Sequence, residues 1–173
     1  MFFSHKTLCL LFCTALLMSC ASAPQYSEPV SKSSKETTSK VVTKPKPKTQ
    51  NKGQKIADLA KTMVGSPYKY GGESPSGFDC SGLVFYTHGK IGLRTPRTSL
   101  QQYRSAKHVS MNKLRSGDLI FFKLTRSPVS HVGIYVGNGR FIHAPQSGKQ
   151  VKATRLNHAY WKTKIVSAGR FYE

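Results

Sequence analysis

The clearest structural signal in this sequence is the segment SHVGIYVGNGRFIHA, residues 130–144. Two apolar runs, at 131–136 and 140–144, flank an Asn-Gly pair of the kind that closes tight hairpins. The segment therefore predicts two adjacent antiparallel strands. Each strand carries one histidine, His131 in the first and His143 in the second.

The register of this hairpin decides whether the two histidines can act together. A two-residue turn at Asn138-Gly139 would place His131 and His143 on opposite faces of the sheet. A three-residue loop with Gly139 left-handed and a bulge puts both on one face, with Gly133 leaving room between the imidazoles. We prefer the bulged hairpin because its other face is then uniformly apolar, formed by Val132, Ile134, Val136, Ile142 and Ala144.

Helices precede the hairpin, and further strands lie on both sides of it in sequence. Residues 55–63 carry one apolar helical stripe, residues 81–88 form an apolar helix, and Thr98 or Ser99 can cap a short third helix. Additional strands are predicted at 119–124, 150–154 and 164–172. Helices first and strands after predict an α+β fold, with N-terminal helices packed on an antiparallel β-sheet.

Cys80 is the residue best placed to be a nucleophile. It follows a glycine-rich loop and begins the second helix, where free N–H groups stabilise a thiolate and can hold an oxyanion. We therefore expect the pKa of its thiol to lie below the free value of about 8.5. A cysteine nucleophile needs a base, and one of His131 and His143 could be that base while the other orients it.

Each of these residues also has a structural interpretation. A lone cysteine at a helix start can be a small core residue, and a histidine on a sheet can simply pack or face solvent. One cysteine and two histidines could also hold a catalytic zinc ion, which needs only three protein ligands. The residues alone leave a cysteine hydrolase, a structural core and a zinc site open.

The N-terminus has the composition of an export signal. An almost wholly apolar run at 7–18 is too short to span a bilayer as a stable helix. It ends in the tetrapeptide LMSC at 17–20, which resembles a bacterial lipoprotein box and predicts a signal peptide over 1–19 with a lipid on Cys20. The alternative is ordinary secretion, with cleavage after a small residue such as Ala21.

Residues 20–54 are rich in Ser, Thr, Lys and Pro, which predicts a disordered tether before a folded domain at 55–173. The chain carries 27 Lys and Arg against 7 Asp and Glu, and 19 of these cations against 5 acids lie in the domain, giving it +14. Such an excess indicates an anionic partner or surface, or serves solubility alone. We exclude nucleic acid as the partner, because an exported protein does not meet cellular nucleic acid and the sequence contains no nucleic-acid-binding motif.

Four motifs follow one another along the domain in a distinctive order. They are Asp79-Cys80-Ser81-Gly82-Leu83-Val84, Arg115-Ser116-Gly117-Asp118-Leu119, His131-Val132-Gly133-Ile134-Tyr135-Val136-Gly137 and Phe141-Ile142-His143-Ala144. Together they resemble the NlpC family of bacterial cell-wall cysteine peptidases, and above all its lipoprotein members of the NlpC and Spr type. The resemblance extends from residue 55 to the C-terminus, and it implies a papain-like fold that requires no metal or cofactor.

The resemblance also implies roles for individual residues. Cys80 would be the nucleophile, His131 the general base, and His143 the polar residue that orients His131. Tyr68 matches a tyrosine that helps to line the oxyanion site, although it could also be a packing aromatic.

Three further residues match family positions around the nucleophile. Asp79 and Ser81 match positions near the substrate amine, although Asp79 could equally be only a helix N-cap. Arg97, in the Pro96-Arg97 element, matches a family position or is simply solvated.

The function implied is that of a lipid-anchored peptidoglycan endopeptidase. It would cleave stem-peptide amides, either the D-glutamyl to diaminopimelate link or the diaminopimelate to D-alanine crosslink. We expect a monomer in the cell envelope. An acidic residue after the lipid-bearing cysteine is associated with retention in the inner membrane, and Ala21 is not acidic, so we expect the periplasmic side of the outer membrane. Two other functions stay open: a non-catalytic wall-binding lipoprotein, and a papain-like acyltransferase or amidase that acts on a non-wall substrate.

Overall fold

A computed structural model describes residues 51–173 of the chain. The predicted signal peptide, the lipidation site Cys20 and the tether up to residue 50 therefore lie outside the described residues. The helices found from residue 51 onward are α1 (Lys52–Thr62), α2 (Cys80–Gly89), α3 (Ser99–Ser105) and α4 (Ala159–Lys162). None of these helices has the length and apolar character needed to cross a bilayer.

The first helix begins earlier than the domain start expected at residue 55. The Asn51 side chain caps α1 by accepting a hydrogen bond of 2.8 Å from the backbone N–H of Gln54. Residues 52–54, which their composition placed in the tether, are the first turn of this helix. The helix buries Ile56 and Ala60, two members of the predicted apolar stripe.

The strands of the described region form two sheets. They are β1 (Glu73–Ser74), β2 (Gly77–Phe78), β3 (Lys107–Val109), β4 (Leu119–Phe122), β5 (His131–Gly137), β6 (Arg140–His143), β7 (Lys152–Arg155) and β8 (Ile165–Arg170). β1 and β2 pair with each other, and the others form one antiparallel sheet in the order β3-β8-β4-β5-β6-β7. The predicted arrangement of N-terminal helices and an antiparallel sheet is confirmed. Sequence alternation missed β1, β2 and β3 because strands of this length are too short to display it.

The register predicted for the β5–β6 hairpin is confirmed. It is the register that places both histidines on one face of the sheet and the aliphatic side chains on the other. The observed pairs are Ile134 with Ile142 and Tyr135 with Phe141.

The turn that produces this register differs from the one expected. The chain reverses through Asn138 and Gly139, whose φ angles of 52° and 65° fit a two-residue type I′ turn. The extra residue lies inside β5, where the register shifts between Tyr135 and Gly137. Gly137 has a φ of 90°, which glycine adopts readily. The expected three-residue loop is therefore wrong, because the bulge precedes the turn.

Each face of the sheet packs against a different layer. One face meets α1 and α2 in a core that includes Ile56, Ala60, Leu83, Val84, Leu119, Phe121, Val132, Ile134 and Ile142. The opposite face carries His131 and His143 and packs against Trp161 of α4. The apolar residues of that second cluster include Ile120, Phe122, Phe141 and Ala168.

The C-terminal strand β8 is an interior strand, and a buried ion pair fastens it to the start of β4. Asp118 is fully buried, and the guanidinium of Arg170 donates to both of its oxygens at 2.6 and 2.8 Å. The hydroxyl of Tyr172 lies 2.9 Å from one oxygen, and the backbone N–H of Arg115 donates to the other at 2.7 Å. The buried carboxylate is therefore well supplied with donors, which burying a charge requires.

Candidate active site

The local sequence around Cys80 explains why α2 starts at that residue. Asp79 has extended backbone angles, and its side chain accepts a hydrogen bond of 2.6 Å from the Gly82 N–H, which caps the helix. A Cβ at Gly82 would overlap the carbonyl oxygen of Gly72, in the loop that leads to the β1–β2 hairpin. The absence of a side chain at Gly82 thus lets this loop close against the first turn of α2, beside Cys80.

The thiol of Cys80 lies against the beginning of β5. The backbone N–H groups of Val132, Ser81 and Cys80 itself lower the pKa of the thiol and so favour a thiolate. Burial has the larger effect and raises the pKa of the Cys80 thiol to about 11. The prediction that this pKa lies below the free value is therefore wrong for the resting site, because burial outweighs the start of the helix. Val132 directly follows His131, so the nucleophile and the histidine strand meet here.

His131 and His143 form a direct hydrogen bond. Nε2 of His131 lies 2.9 Å from Nδ1 of His143, and both residues are buried. Nδ1 of His131 is left available for another group. Burial lowers the pKa of His131 to about 4, and burial followed by the neighbouring His131 lowers the pKa of His143 as well. Both rings are therefore neutral near pH 7, and only one of the two nitrogens in their hydrogen bond carries a proton.

The second nitrogen of His143 also has a partner. Its Nε2 lies 3.0 Å from the hydroxyl oxygen of Thr154 on β7. Thr154 is paired with Phe141 across β6 and β7, which places its side chain on the same face as His143. A hydrogen-bonded chain thus runs from His131 through His143 to Thr154.

Aromatic side chains enclose this chain. The ring of Trp161 lies 4.7 Å from that of His143 and 5.3 Å from that of His131, between centroids. The ring of Phe141 lies 5.0 Å from that of His143. A Cβ at Gly133 would overlap this Phe141 ring, so the space at Gly133 accommodates Phe141 and does not lie between the imidazoles as expected.

Arg97 links several groups around the first turn of α2. Its guanidinium donates to both oxygens of Asp79, at 3.0 and 2.7 Å, and to the Ser81 hydroxyl at 3.0 Å. Its Nε lies 3.2 Å from a carboxylate oxygen of Glu73. Burial alone would raise the pKa of Asp79, but the hydrogen bonds from Arg97 and the Gly82 N–H hold it below its ordinary value. Arg97 is therefore not simply solvated, and Asp79 is both the helix cap and an ion-pair partner.

Tyr68 is a half-buried residue that the family resemblance placed at the oxyanion site. Burial raises the pKa of its phenol, and negative charge on Cys80 and on Asp79 adds to this effect. The ring also packs at the edge of the helix-side core. Negative charge on Cys80 therefore acts on the Tyr68 phenol, and the Tyr68 ring packs against the core at the same time.

Three residues that sequence reasoning did not select also belong to the site. The side-chain amide of Gln102 donates to the carbonyl oxygens of Ser81 and Pro96, at 3.0 and 2.8 Å, and so joins α3 to the first turn of α2. Thr154 and Trp161 support the histidines. The only sequence signal for any of them is that Trp161 is the single tryptophan of the chain.

The arrangement contains a thiol, two linked imidazoles and free N–H groups at a helix start. Such a set can perform nucleophilic attack on a carbonyl group with a histidine as base. No group of three or more His, Cys, Asp or Glu side chains suited to holding a metal ion occurs in residues 51–173.

The chain was compared with known families and proteins. The sequence model of the NlpC/P60 family matches residues 65–170. The chain is 43% identical over 113 residues to murein DD-endopeptidase MepH of Escherichia coli K12, which covers 62% of this chain and 42% of that protein. It is 44% identical over 120 residues to the probable peptidoglycan endopeptidase LytE of Bacillus subtilis 168, covering 68% of this chain and 34% of LytE. The chain thus matches less than half the length of either relative.

Solved structures confirm that the fold is that of NlpC/P60 domains. An NlpC/P60 family protein from Bacillus cereus superposes with a TM-score of 0.67 and 32% identity, covering 70% of this chain and 40% of that one. The NlpC/P60 domain of the peptidoglycan hydrolase SagA gives a TM-score of 0.60 and 33% identity, covering 68% of this chain and 97% of that domain. The papain-like α+β fold implied by the sequence motifs is therefore the observed one.

Proposed function

The chain belongs to the NlpC/P60 family, and from this premise we propose that it is a peptidoglycan endopeptidase that uses Cys80 as its nucleophile. The observation that carries the proposal is the hydrogen bond of 2.9 Å between His131 and His143. His131 begins β5, the strand whose next residue, Val132, acts on the Cys80 thiol. The contact between the two histidines leaves Nδ1 of His131 free to serve as the base. The names of MepH, LytE and SagA agree with such an activity.

The first chemical step is attack on a stem-peptide amide. Nδ1 of His131 accepts the thiol proton while the sulfur of Cys80 bonds to the carbonyl carbon, and the carbonyl oxygen becomes an oxyanion. Because burial raises the pKa of the Cys80 thiol to about 11, the thiol is protonated in the resting site, and its proton has to leave as the sulfur attacks. The imidazolium formed at His131 is stabilised by donating its Nε2–H to Nδ1 of His143.

In the second step the amine half of the cleaved amide leaves, and in the third step the acid half is released from Cys80. The proton on Nδ1 of His131 passes to the leaving nitrogen as the carbon–nitrogen bond breaks, which leaves a thioester on Cys80. His131 then takes a proton from the water molecule that attacks this thioester and returns it to the sulfur as the carbon–sulfur bond breaks, which regenerates the thiol and releases the carboxylic acid. The N–H groups at the start of α2 and the hydroxyl of Tyr68 are the proposed donors to the oxyanion.

The charge of the domain suits an anionic polymer with carboxylate groups. Four of its five acidic residues are already paired with Lys61, Arg97 or Arg170, so most of its cations are exposed and have no ionic partner within residues 51–173. Stem peptides carry several carboxylates, and complementary charge would speed their encounter with the enzyme. The Arg97, Asp79 and Ser81 network borders the nucleophile and is the proposed contact for the substrate on that side.

Digestion of purified crosslinked peptidoglycan tests the proposal. The wild-type protein should release muropeptide fragments, whose masses distinguish the D-glutamyl to diaminopimelate link from the diaminopimelate to D-alanine crosslink. Cys80→Ala and His131→Ala should release none, whereas His108→Ala, which alters an exposed histidine of β3, should match the wild type. Binding to the wall without any release would contradict the proposal and favour a wall-binding protein. Turnover of lipid or other non-wall amides alone would favour the acyltransferase or amidase.

We also propose that the protein is anchored through a lipid on Cys20 and acts in the cell envelope, at the periplasmic face of the outer membrane. The proposal rests on the apolar run at 7–18 and the LMSC tetrapeptide that follows it. Metabolic labelling with a radioactive fatty acid should mark the wild type and leave Cys20→Ser unlabelled. Equal labelling of both, or none in either, would contradict the anchor, and membrane fractionation would identify the membrane.

A further inference from the structure

We propose that Thr154 is a positioning residue, whose hydroxyl holds His143 in the tautomer and ring orientation that keep His131 competent as a base. The inference rests on the proposed role of His131. It concerns a residue on an edge strand that none of the four sequence motifs includes. The observation behind it is the contact of 3.0 Å between Nε2 of His143 and Oγ1 of Thr154.

Each neutral imidazole carries one ring proton, and only one proton can lie between His131 and His143. The two rings therefore have only two possible combinations of tautomers. In the productive one, His131 carries its proton on Nε2 and donates it to Nδ1 of His143, so Nδ1 of His131 is free to accept the thiol proton. His143 must then carry its own proton on Nε2. In the other arrangement His143 donates from Nδ1, and the proton of His131 sits on Nδ1, where it blocks the base.

The productive arrangement requires a hydrogen-bond acceptor for the Nε2–H of His143. His143 has no exposed surface, so water does not reach this group directly. Its other close neighbours are the rings of Trp161 and Phe141, and within residues 51–173 the hydroxyl of Thr154 is the hydrogen-bond partner found at Nε2. Buried N–H groups without a partner are rarer in proteins than bare acceptors, and an unsatisfied one carries a desolvation cost. Loss of the hydroxyl would therefore favour the blocked arrangement.

The Thr154 hydroxyl can accept this hydrogen bond because its own O–H can donate to a different acceptor. A cavity of about 400 Å³ borders Thr154, Trp161 and His158. Thr154 is half-buried, so its O–H can point toward water in this cavity while a lone pair faces His143. The two hydrogen bonds at opposite ends of the His143 ring also oppose its rotation.

The test compares side chains that differ only in the hydroxyl. Thr154→Val keeps the shape of threonine, and we expect muropeptide release to fall by about tenfold to a hundredfold, the range for one unsatisfied buried group. Thr154→Ser should restore most of the rate. Thr62→Val, which removes an exposed hydroxyl at the end of α1, is the matched control and should keep the wild-type rate. If the valine variant fails to fold, Thr154→Ala against Thr154→Ser gives the same comparison.

Nitrogen-15 NMR of the imidazoles provides a readout that a merely structural role would not move. The wild type and Thr154→Ser should show His131 protonated on Nε2 and His143 protonated on Nε2. Thr154→Val should shift both rings toward protonation on Nδ1. Wild-type tautomers in the valine variant, or a serine variant as slow as valine, would overturn the inference. A wild type that releases no muropeptide would refute the proposed function, while the tautomers would still decide the role of Thr154.

Discussion

His88 makes the domain sensitive to acid in a way that can be measured. It lies on α2 and is fully buried, and its Nδ1 donates to the carbonyl oxygen of Val84 at 3.0 Å. Its Nε2 has no hydrogen-bond partner in the described region, and its ring packs edge-on against Phe171 at 6.0 Å between centroids. A proton on Nε2 would place a charge in this apolar site. Burial therefore lowers the pKa of His88 from 6.5 to about 4.

The sign and size of the effect follow from this pKa. Between the folded value of about 4 and the unfolded value of 6.5, the unfolded chain binds a proton that the folded domain does not. Stability is therefore intact above pH 6.5 and falls as the pH drops below it. From about pH 7.5 to about pH 5, His88 alone should remove about 2 kcal/mol from the free energy of unfolding.

Urea unfolding of the wild type and of His88→Leu at these two pH values measures the effect. Leucine does not titrate, so the variant should lose about 2 kcal/mol less than the wild type on acidification. The buried His131 and His143 titrate in both proteins and cancel in the difference. His108→Gln, which alters an exposed histidine, should lose as much as the wild type. If the wild type and His88→Leu lose the same free energy, burial of His88 does not oppose its protonation and the reasoning is refuted.

Three further substitutions test the fold around the site. Asp118→Ala should lower the free energy of unfolding by about 3–5 kcal/mol, because Arg170 then keeps a buried charge without its carboxylate partner. In urea melts, replacing both residues by leucine should recover part of this loss, and an equal loss in the double variant would contradict the charge explanation. Gly133→Ala should cost about 1–3 kcal/mol by overlap with the ring of Phe141, and should also slow muropeptide release; an unchanged melting temperature would exclude the overlap. Asn51→Ala should cost about 1 kcal/mol by loss of the cap on α1, with Asn51→Ser close to wild type in the same melts; equal stability of all three would rule out capping.

Periodicity and glycine positions were sufficient to predict the parts of the fold that depend on neighbouring residues. The β5–β6 register could be chosen because one of two options separates apolar side chains from His131 and His143. The helix start at Cys80 could be predicted because a glycine-rich loop meets an apolar run there and Asp79 is a residue type that caps helices. The exact turn could not, because a bulge at Gly137 and a looser turn give the same pairing.

Features that depend on contacts between residues far apart in the sequence could not be predicted from it. Thr154 meets His143 only because β7 adopts one particular register against β6, and short polar strands do not specify register from sequence. Arg97 meets Asp79 through loops whose path no local pattern fixes. The pKa of Cys80 was predicted in the wrong direction because it depends on how completely the surrounding chain buries the thiol.

The position of β8 between β3 and β4 has a consequence for biosynthesis. β8 follows the other strands of this sheet in sequence, so the strands synthesised before it leave a gap between β3 and β4. A nascent chain therefore cannot close the hydrogen-bonded ladder of the sheet while residues 165–170 remain in the exit tunnel. A truncation before residue 165 would separate β3 from β4 to β7 and leave an open edge on each side of the gap.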